Sequence, residues 1–237
     1  MAINTITFAG VNSLNKGLYV SGSKIFKSAE KEYSKVSVPG RNGDLLLFEN
    51  RFKNVNIVYD GIVIDDYNSN VIGIMAWLLS QTGYKRLEDT YNPDYYREAL
   101  YAGPVEFDTL LLSAGSTSIT FDCKPERWLK SGETVTDILQ ADTIKKITNP
   151  TLFNAHPVIR VYGSGTVEIG TGSFTVTEAG ASYIDVNCDI HDCYEGATNQ
   201  NSKVTISKWP ELTPGDNGIV MAPTITKIQI TPRWWTI

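Results

Sequence analysis

The chain has 237 residues, of which 42% are hydrophobic, and its formal net charge is −5 at pH 7. The hydrophobic content is sufficient for a real core, and the length suits two domains of about 100–150 residues better than one. The acidic balance argues against a nucleic-acid-binding surface, because such a surface needs clustered Lys and Arg to displace phosphate counterions.

The N-terminus and the cysteines limit the compartment. Met1 to Gly10 lacks the basic start, the apolar run and the small-residue cleavage site of a signal peptide. No segment approaches the roughly 20 apolar residues that a membrane helix needs. We therefore expect a soluble protein made in a cytoplasm. The three cysteines are expected to be reduced, and a Cys188–Cys193 disulfide is the alternative only in an oxidising compartment.

The first half of the chain predicts short strands joined by turns. The apolar–polar alternation of Ile3 to Phe8 is typical of a strand with one buried face, and Val55, Ile57 and Tyr59 share one face of a later strand. The segment Pro39–Asp44 combines Pro, Gly, Asn and Asp, which favour a turn. The predicted strands are 3–8, a short strand ending at 20, 32–38, 45–48, 52–59, 84–87, 95–101, 104–111 and 118–123.

One helix is predicted within this half, over about residues 70–82. Asn70 or Ser69 can cap its start, and Gly83 can close its last turn. A rod of about 20 Å would cross one face of a small sheet. The two overlapping apolar stripes predicted to pack on the sheet are Val71, Met75 and Leu78, and Ile72, Met75 and Leu79.

The second half reads as a sandwich of short strands. The weakly patterned stretch from Lys124 to Pro150 predicts the crossing between two domains, 1–135 and 136–237, with a boundary uncertain by about ten residues. Strands at close spacing with Gly between them indicate antiparallel hairpins of an all-β layer fold. The predicted strands are 134–139, 158–162, 166–169, 173–177, 183–186, 203–207 and 224–230, with a further turn at 214–217.

The sequence shows none of the enzyme motifs that we considered. The chain lacks a G-x-S-x-G or a G-x-x-x-x-G-K-[ST] motif, and its two histidines, His156 and His191, fit structural roles. The stretch Asp66–Asn70 begins like a calcium loop, but Val71 stands where the loop needs Gly. The carboxylates Glu88, Asp89, Asp94 and Glu98 are interpreted as solvated charges on turns. We therefore predict no enzyme, no catalytic residue and no cofactor.

One metal site can be imagined, at Cys188-x-x-His191-x-Cys193. Structural zinc sites take four ligands, usually from paired C-x-x-C knuckles, and here only His156, Asp189 or Asp192 could supply the fourth. A plain loop with small buried thiols is the favoured interpretation. We therefore predict no metal.

Two adjacent tryptophans near the C-terminus are expected to lie in different environments. Neighbouring strand positions point to opposite faces, so one of Trp234 and Trp235 is expected in the core. The other is a candidate contact aromatic, because Trp is enriched at the centres of interfaces.

Several short motifs, in order over nearly the whole chain, resemble the distal tail (Dit) protein family of long-tailed siphovirus bacteriophages and related prophages. The match is best in the first half. The motifs are Phe8-x-Gly10-x-x-Ser13 with Gly17-Leu18, Val38-Pro39-Gly40-Arg41-Asn42-Gly43, Trp77-Leu78, Tyr84-Lys85-Arg86-Leu87, Tyr95-Tyr96-Arg97-x-Ala99, Phe121-x-Cys123-x-Pro125, Asn149-Pro150 and Pro214-Gly215-x-Asn217.

The resemblance implies a fold and an assembly. It implies a mainly β protein, with an N-terminal β domain that carries one α-helix and a C-terminal galectin-like or jelly-roll-like β-sandwich. It implies a homohexameric ring at the virion tail tip, assembled in the host cytoplasm, that joins the tail tube protein to tail-tip proteins and leaves a channel through which DNA passes. A receptor-binding protein is a further implied partner, and no membrane is involved.

A closed ring built from head-to-tail contacts needs two different complementary patches on each subunit. We place one patch at the turn formed by Pro39, Gly40, Arg41, Gly43 and Asp44 and at the strand that follows it, with Arg41 as a pairing residue; the alternative is an ordinary solvated hairpin. A second function remains open: the C-terminal sandwich could bind carbohydrate through Trp234 or Trp235 and so contribute to attachment at the host surface.

Overall fold

The computed structural model describes residues 3–111, 113–142, 145–177 and 182–237. The chain divides into two compact units between Arg127 and Trp128, with Ile237 belonging to the first. The domain boundary expected after residue 135 lies a few residues beyond this division. Strands dominate both units, which confirms the mainly β class.

The first unit is built on one main sheet and one separate hairpin. The main sheet has the order β2-β1-β7-β8-β10-β6-β3, β9 also pairs with β10, and β4 and β5 pair only with each other. The strands are β1 (Ile6–Phe8), β2 (Val11–Asn12), β3 (Leu18–Val20), β4 (Lys31–Ser37), β5 (Asp44–Phe52), β6 (Val55–Ile64), β7 (Lys85–Asp89), β8 (Tyr95–Leu100), β9 (Phe107–Leu111) and β10 (Ala114–Cys123).

The centre of this sheet is the long antiparallel pair of β6 and β10, which stay in register from Cys123↔Val55 to Ala114↔Ile64. Side chains alternate across a strand, so every second residue of β6 faces the core. Val55, Ile57 and Tyr59 are each at most 6% exposed, which confirms the predicted shared face. The first core therefore lies on this face.

The helix α1 spans Tyr67–Leu79, so it begins and ends three residues before the predicted limits of about 70–82. The predicted caps are wrong. Asp66 occupies the N-cap position without a side-chain capping bond, and the Nδ2 of Asn70 instead donates to the Asp65 carbonyl at 3.0 Å. Ser80 ends the helix, and Gly83 has a positive φ but lies beyond the last turn.

The buried face of α1 also differs from the predicted stripes. Ile74, Trp77 and Leu78 are buried, whereas Ile72 is 68% and Leu79 54% exposed. Leu78 is the one predicted member that is buried. Because nearly every residue of 71–79 is apolar, periodicity alone could not select the face. The tertiary contact selects it: the indole Nε1 of Trp77 donates to the backbone carbonyl of Phe8 at 3.1 Å.

The second unit has two sheets, with orders β12-β22-β14-β17-β18-β19 and β13-β21-β15-β16-β20, while β11 pairs with β23. The strands are β11 (Arg127–Leu129), β12 (Thr136–Leu139), β13 (Lys146–Asn149), β14 (Val158–Gly163), β15 (Gly165–Ile169), β16 (Gly172–Val176), β17 (Ile184–Asn187), β18 (Asp192–Glu195), β19 (Thr198–Asn199), β20 (Val204–Lys208), β21 (Gly215–Met221), β22 (Ile225–Thr231) and β23 (Trp235–Thr236).

These two sheets share one hydrophobic core, to which both contribute alternate residues. Ile159 and Val161 of β14 meet Phe174 of β16 and Ile219 of β21 in this core. Two sheets packed face to face in this way form a β-sandwich, which confirms the predicted architecture of the second half.

The predicted turn at 214–217 is largely a strand, because β21 begins at Gly215. The Asn217 side chain makes the turn: its Nδ2 donates to the carbonyls of Thr213 and Gly215, and its Oδ1 accepts from the Thr213 N–H. The Asn217 backbone is thus free to pair with Ile147 of β13. In Asn217 the side chain forms the turn while the backbone pairs in a strand. Residue composition indicates only the first of these, so the sequence predicted only the turn.

Candidate protein-interaction surface

The strands β4 and β5 form a hairpin whose turn is determined by its glycine residues. Gly40 and Gly43 both have φ near +80°, a region that glycine enters without steric cost, and the Arg41 N–H donates to the Val38 carbonyl at 3.2 Å. Ser37 then pairs with Asp44 and Tyr33 with Phe48, so the register is set by the turn. The predicted turn residues Pro39, Gly40, Arg41, Gly43 and Asp44 therefore lie together at the tip of this hairpin.

Both faces of the hairpin carry exposed apolar side chains among charged and polar ones. Tyr33 and Phe48 lie on one face with Leu46, while Leu45 and Leu47 lie on the other, and all five side chains are between 42% and 56% exposed. A two-stranded hairpin is at best marginally stable alone in water, and large exposed apolar patches mark interaction sites. This hairpin therefore has the properties of a docking element.

A buried polar cluster ties the segment before the hairpin to the main sheet. The ammonium of Lys24, whose side chain is 7% exposed, donates to the Tyr59 hydroxyl at 3.0 Å and is also in contact with the Asp89 carboxylate. The Tyr59 hydroxyl in turn donates to Asp89 at 2.6 Å, and the Asn92 N–H donates to the same carboxylate at 2.9 Å. Asp89 is thus paired and nearly buried, which corrects its interpretation as a solvated charge.

The cluster perturbs the acidity of its members. Burial alone raises the pKa of the Asp89 carboxyl, but hydrogen bonds from Lys24 and Tyr59 outweigh burial and hold that pKa below its ordinary value. Burial and the Asp89 charge raise the pKa of the Tyr59 hydroxyl far above its usual range. The cluster is therefore a fixed ion pair, with Ile25 and Phe26 beside it 76% and 66% exposed.

A second feature of the first unit is an acidic depression of about 750 Å³ on the outer side of the main sheet. Tyr19, Ile62 and Ser116 pair across β3, β6 and β10 and form its floor. Three carboxylates line it: Asp60, Glu106 and Asp108. None of them has an ion-pair partner in the part of the chain that the structure describes.

The two tryptophans occupy different environments. Trp234 is 5% exposed and belongs to the sandwich core. Trp235 is half-buried; its indole Nε1 donates to the Asn154 carbonyl at 2.8 Å, and its ring packs against Phe153 at a centroid distance of 4.5 Å. Of these two tryptophans, Trp235 is therefore the one that keeps surface for a contact.

The imagined metal ligands do not converge. Cys188 and Cys193 are each 1% exposed, and burial raises the pKa of both thiols, that of Cys193 to about 11. The His191 ring stacks on Trp209 at 4.7 Å instead. No group of three or more His, Cys, Asp or Glu side chains among residues 3–111, 113–142, 145–177 and 182–237 could hold a metal ion. All three cysteines are free thiols.

The sequence placed one contact patch at the turn 39–44 and the strand that follows it, but it predicted neither the exposed apolar side chains on both faces of the hairpin nor the Lys24 cluster. One available signal was the run Leu45–Phe48, in which four consecutive large apolar residues show no alternation. Such a run indicates a strand that is covered on both faces. In the part of the chain that the structure describes, this hairpin belongs to no larger sheet, and the four side chains are exposed. Lys24 and Asp89 are 65 residues apart, and no local pattern links them.

Within the described residues, no helix is both long and apolar enough to cross a membrane. No protein-family model and no curated protein sequence matches the chain. The fold does match a solved structure. The chain is similar over its whole length to the crystal structure of SPP1 Dit (gp 19.1), described as a paradigm of the hub adsorption apparatus in phages that infect Gram-positive hosts. The TM-score is 0.77 at 15% sequence identity, and the alignment covers 100% of both chains.

Proposed function

We propose that this chain is the distal tail hub protein of a siphovirus or related prophage, a structural protein and not an enzyme. Six copies form a ring that joins the tail tube to the tip and adsorption apparatus. The full-length similarity to SPP1 Dit supports this role, because two unlike units match in one chain. Within this chain, the observation that supports the proposal is the exposed hairpin, because its large apolar side chains are typical of an interaction surface.

The partner that we assign to the hairpin is a second copy of the chain. Covering half-exposed side chains such as Leu45, Leu47 and Phe48 contributes on the order of 1 kcal/mol each. Contacts of this kind repeated around a closed ring are made by every subunit, so moderate contributions add up. The tip residue Arg41 would pair with a carboxylate of the neighbour.

The second patch that a head-to-tail contact needs is the acidic depression. Between Lys31 and Phe52 the hairpin carries four basic residues against three acidic ones, which is a net charge of +1 in a chain of −5. Among the described residues that line the depression, the charged side chains are the carboxylates of Asp60, Glu106 and Asp108, and Tyr19 and Ile62 add apolar surface. Charge and apolar character are therefore complementary between the hairpin of one copy and the depression of the next.

The remaining partners follow from the proposed position. In the virion tail tip the ring would bind the tail tube protein on one side and tail-tip proteins on the other, and a receptor-binding protein could attach at its periphery. DNA would pass through the central channel without specific binding. The net charge of −5 suits this passage, because like charge discourages adhesion of the phosphate backbone. Assembly would take place in the host cytoplasm.

Negative-stain electron microscopy of the purified full chain tests the proposed function. We expect ring-shaped particles with six-fold symmetry and a central hole. Co-expression with a tail tube protein should place such rings at the ends of tubes. Isolated single-chain particles under both conditions would contradict the proposal.

A further inference from the structure

The outer face of the six-stranded sheet in the second unit carries a row of polar and aromatic side chains. The row crosses five strands at one level, because each member is the direct cross-strand partner of the next. Its members, in spatial order from β12 to β18, are Asp137, Gln229, Arg160, Asp185 and Tyr194. The alternate residues of the same strands face the sandwich core.

Hydrogen bonds inside the row fix its side chains. Arg160 donates to both carboxylate oxygens of Asp185, from Nε at 2.7 Å and from a terminal nitrogen at 2.8 Å. Gln229 donates to Asp137 at 2.9 Å and accepts from the Tyr162 hydroxyl at 2.8 Å. A bidentate pair on a nearly buried carboxylate holds a guanidinium in one plane. These groups are therefore set in position before any ligand arrives.

A shallow depression of about 490 Å³ lies over the row. The depression is lined by Arg160, Tyr183, Asp185, Tyr194 and Gln229, with Val158 on its floor. The Arg160 guanidinium stacks on the Tyr183 ring at 3.9 Å, so one face of that ring is covered. Both tyrosines are half-buried and line the depression.

The charges around the depression cancel. Arg160 is balanced by Asp185, and Lys227, which lies over the Tyr162 ring, is balanced by Asp137 at 4.0 Å. An anionic or cationic ligand would gain little from a balanced site. A neutral ligand with many hydroxyl groups would gain more, because it can exchange hydrogen bonds with the remaining N–H donors of Arg160 and with the Gln229 amide while it packs against tyrosine rings.

We infer that this depression binds a neutral oligosaccharide. The site is distinct from Trp235, because it is formed by β14, β17, β18 and β22. Cross-strand pairs would stabilise the sheet equally well if the row had only a structural role. A structural role does not explain why two half-buried tyrosines line an open depression beside the row. The inference is independent of ring assembly, because every residue of the site belongs to the second unit of one chain.

Titration of the full chain with maltotriose, cellotriose, chitotriose and lactose tests the inference. Binding is followed by amide chemical-shift changes in NMR spectra. At least one of the four sugars should bind with a Kd of about 1 mM and shift amides of β14, β17, β18 and β22. If none of the four binds below about 20 mM, or if the shifts cluster around Trp235, the inference is wrong.

Variants separate recognition from folding. Tyr194→Ala and Gln229→Ala should each weaken the binding at least tenfold while the unfolding transition remains cooperative. Leu152→Ser, at an 88% exposed leucine of the same unit, is the matched control and should leave the affinity unchanged. If a row variant fails to fold, the shift map of the unsubstituted chain decides alone. A variant of the hairpin that no longer assembles should still bind the sugar, which distinguishes this inference from the proposed function.

Discussion

At the scale of single residues, the ion pair of Lys24 and Asp89 attaches the segment before the hairpin to the main sheet. Both side chains are at most 10% exposed, and the pair joins the segment before the hairpin to β6 and β7. A buried pair adds little net stability over an apolar pair, but removal of one partner leaves an uncompensated charge. The pair therefore fixes where the segment attaches.

Asp89→Asn should reduce the free energy of unfolding by about 3–5 kcal/mol, because it leaves the Lys24 ammonium buried without a counter-charge. Urea unfolding followed by tryptophan fluorescence measures the change. Lys24→Met combined with Asp89→Asn removes both charges and should recover a large part of the loss. A single variant as stable as the parent would show that the pair is not buried in solution.

The pH dependence of the same variant gives a second check. The pKa of Asp89 is lower in the folded chain than in the unfolded chain, so the pair contributes its full stability above the unfolded pKa of about 4. The contribution is lost as the pH falls through the folded pKa. The stability difference between the parent and Asp89→Asn should therefore shrink progressively below about pH 4. A constant difference down to pH 2 would contradict the assignment.

Arg41 tests the charge complementarity between copies. Arg41→Glu should weaken association about tenfold, or about 1.4 kcal/mol, without changing the unfolding transition, because Arg41 is exposed at the hairpin tip. Asp60→Arg alone should weaken association to a similar extent. The two substitutions together restore an opposite-charge pair and should recover part of the affinity. Sedimentation profiles identical to that of the parent would show that the tip does not contact the depression.

At the scale of elements, the helix shows why the local sequence predicts an element better than its orientation. The existence of α1 was predicted from apolar stripes at helical spacing in 71–79 and from the polar and glycine residues at their ends. Its face was not, because the apolar residues surround the helix and a contact with Phe8, 69 positions away, selects the buried side. Long-range packing therefore supplied the information that periodicity lacked.

The assigned face of α1 can be tested with two matched substitutions. Ile74→Ala should reduce the free energy of unfolding by about 2–5 kcal/mol, because it opens a cavity at a side chain that is 0% exposed. Ile72→Ala, on the same helix at 68% exposure, should change it by less than about 0.5 kcal/mol. Thermal unfolding of both variants gives the comparison. A larger loss for Ile72→Ala would place the helix in the predicted orientation instead.

Among the strands, too, local sequence predicted some features, and others depend on residues distant in the chain. Alternation predicted the buried face of β6 correctly, because one face of that strand is covered and the other is not. It missed β13 and β18, whose four-residue sequences become strands only by pairing with β21 and β17. The acidic depression and the polar row depend on cross-strand register, which no single strand encodes.

At the scale of the whole molecule, the account depends on two units with different tasks. The first unit carries an exposed hairpin with apolar side chains and an acidic depression, and the proposed ring would use them as its two unlike surfaces. The second unit is a sandwich with a complete core and a preorganised polar face. Neither description requires a reacting group, and both follow from contacts within one chain.

The proposed assembly through the hairpin is tested most directly by the mass of the full chain in solution. Analytical ultracentrifugation across a range of concentrations measures this mass. The parent chain and the control Leu152→Ser, which alters an 88% exposed leucine outside the hairpin, should sediment as six-chain assemblies. The hairpin variant Leu47→Ser combined with Phe48→Ser should sediment as a folded single chain, because it removes apolar contacts from both faces of the hairpin. A hairpin variant that assembles as well as the parent would contradict the account.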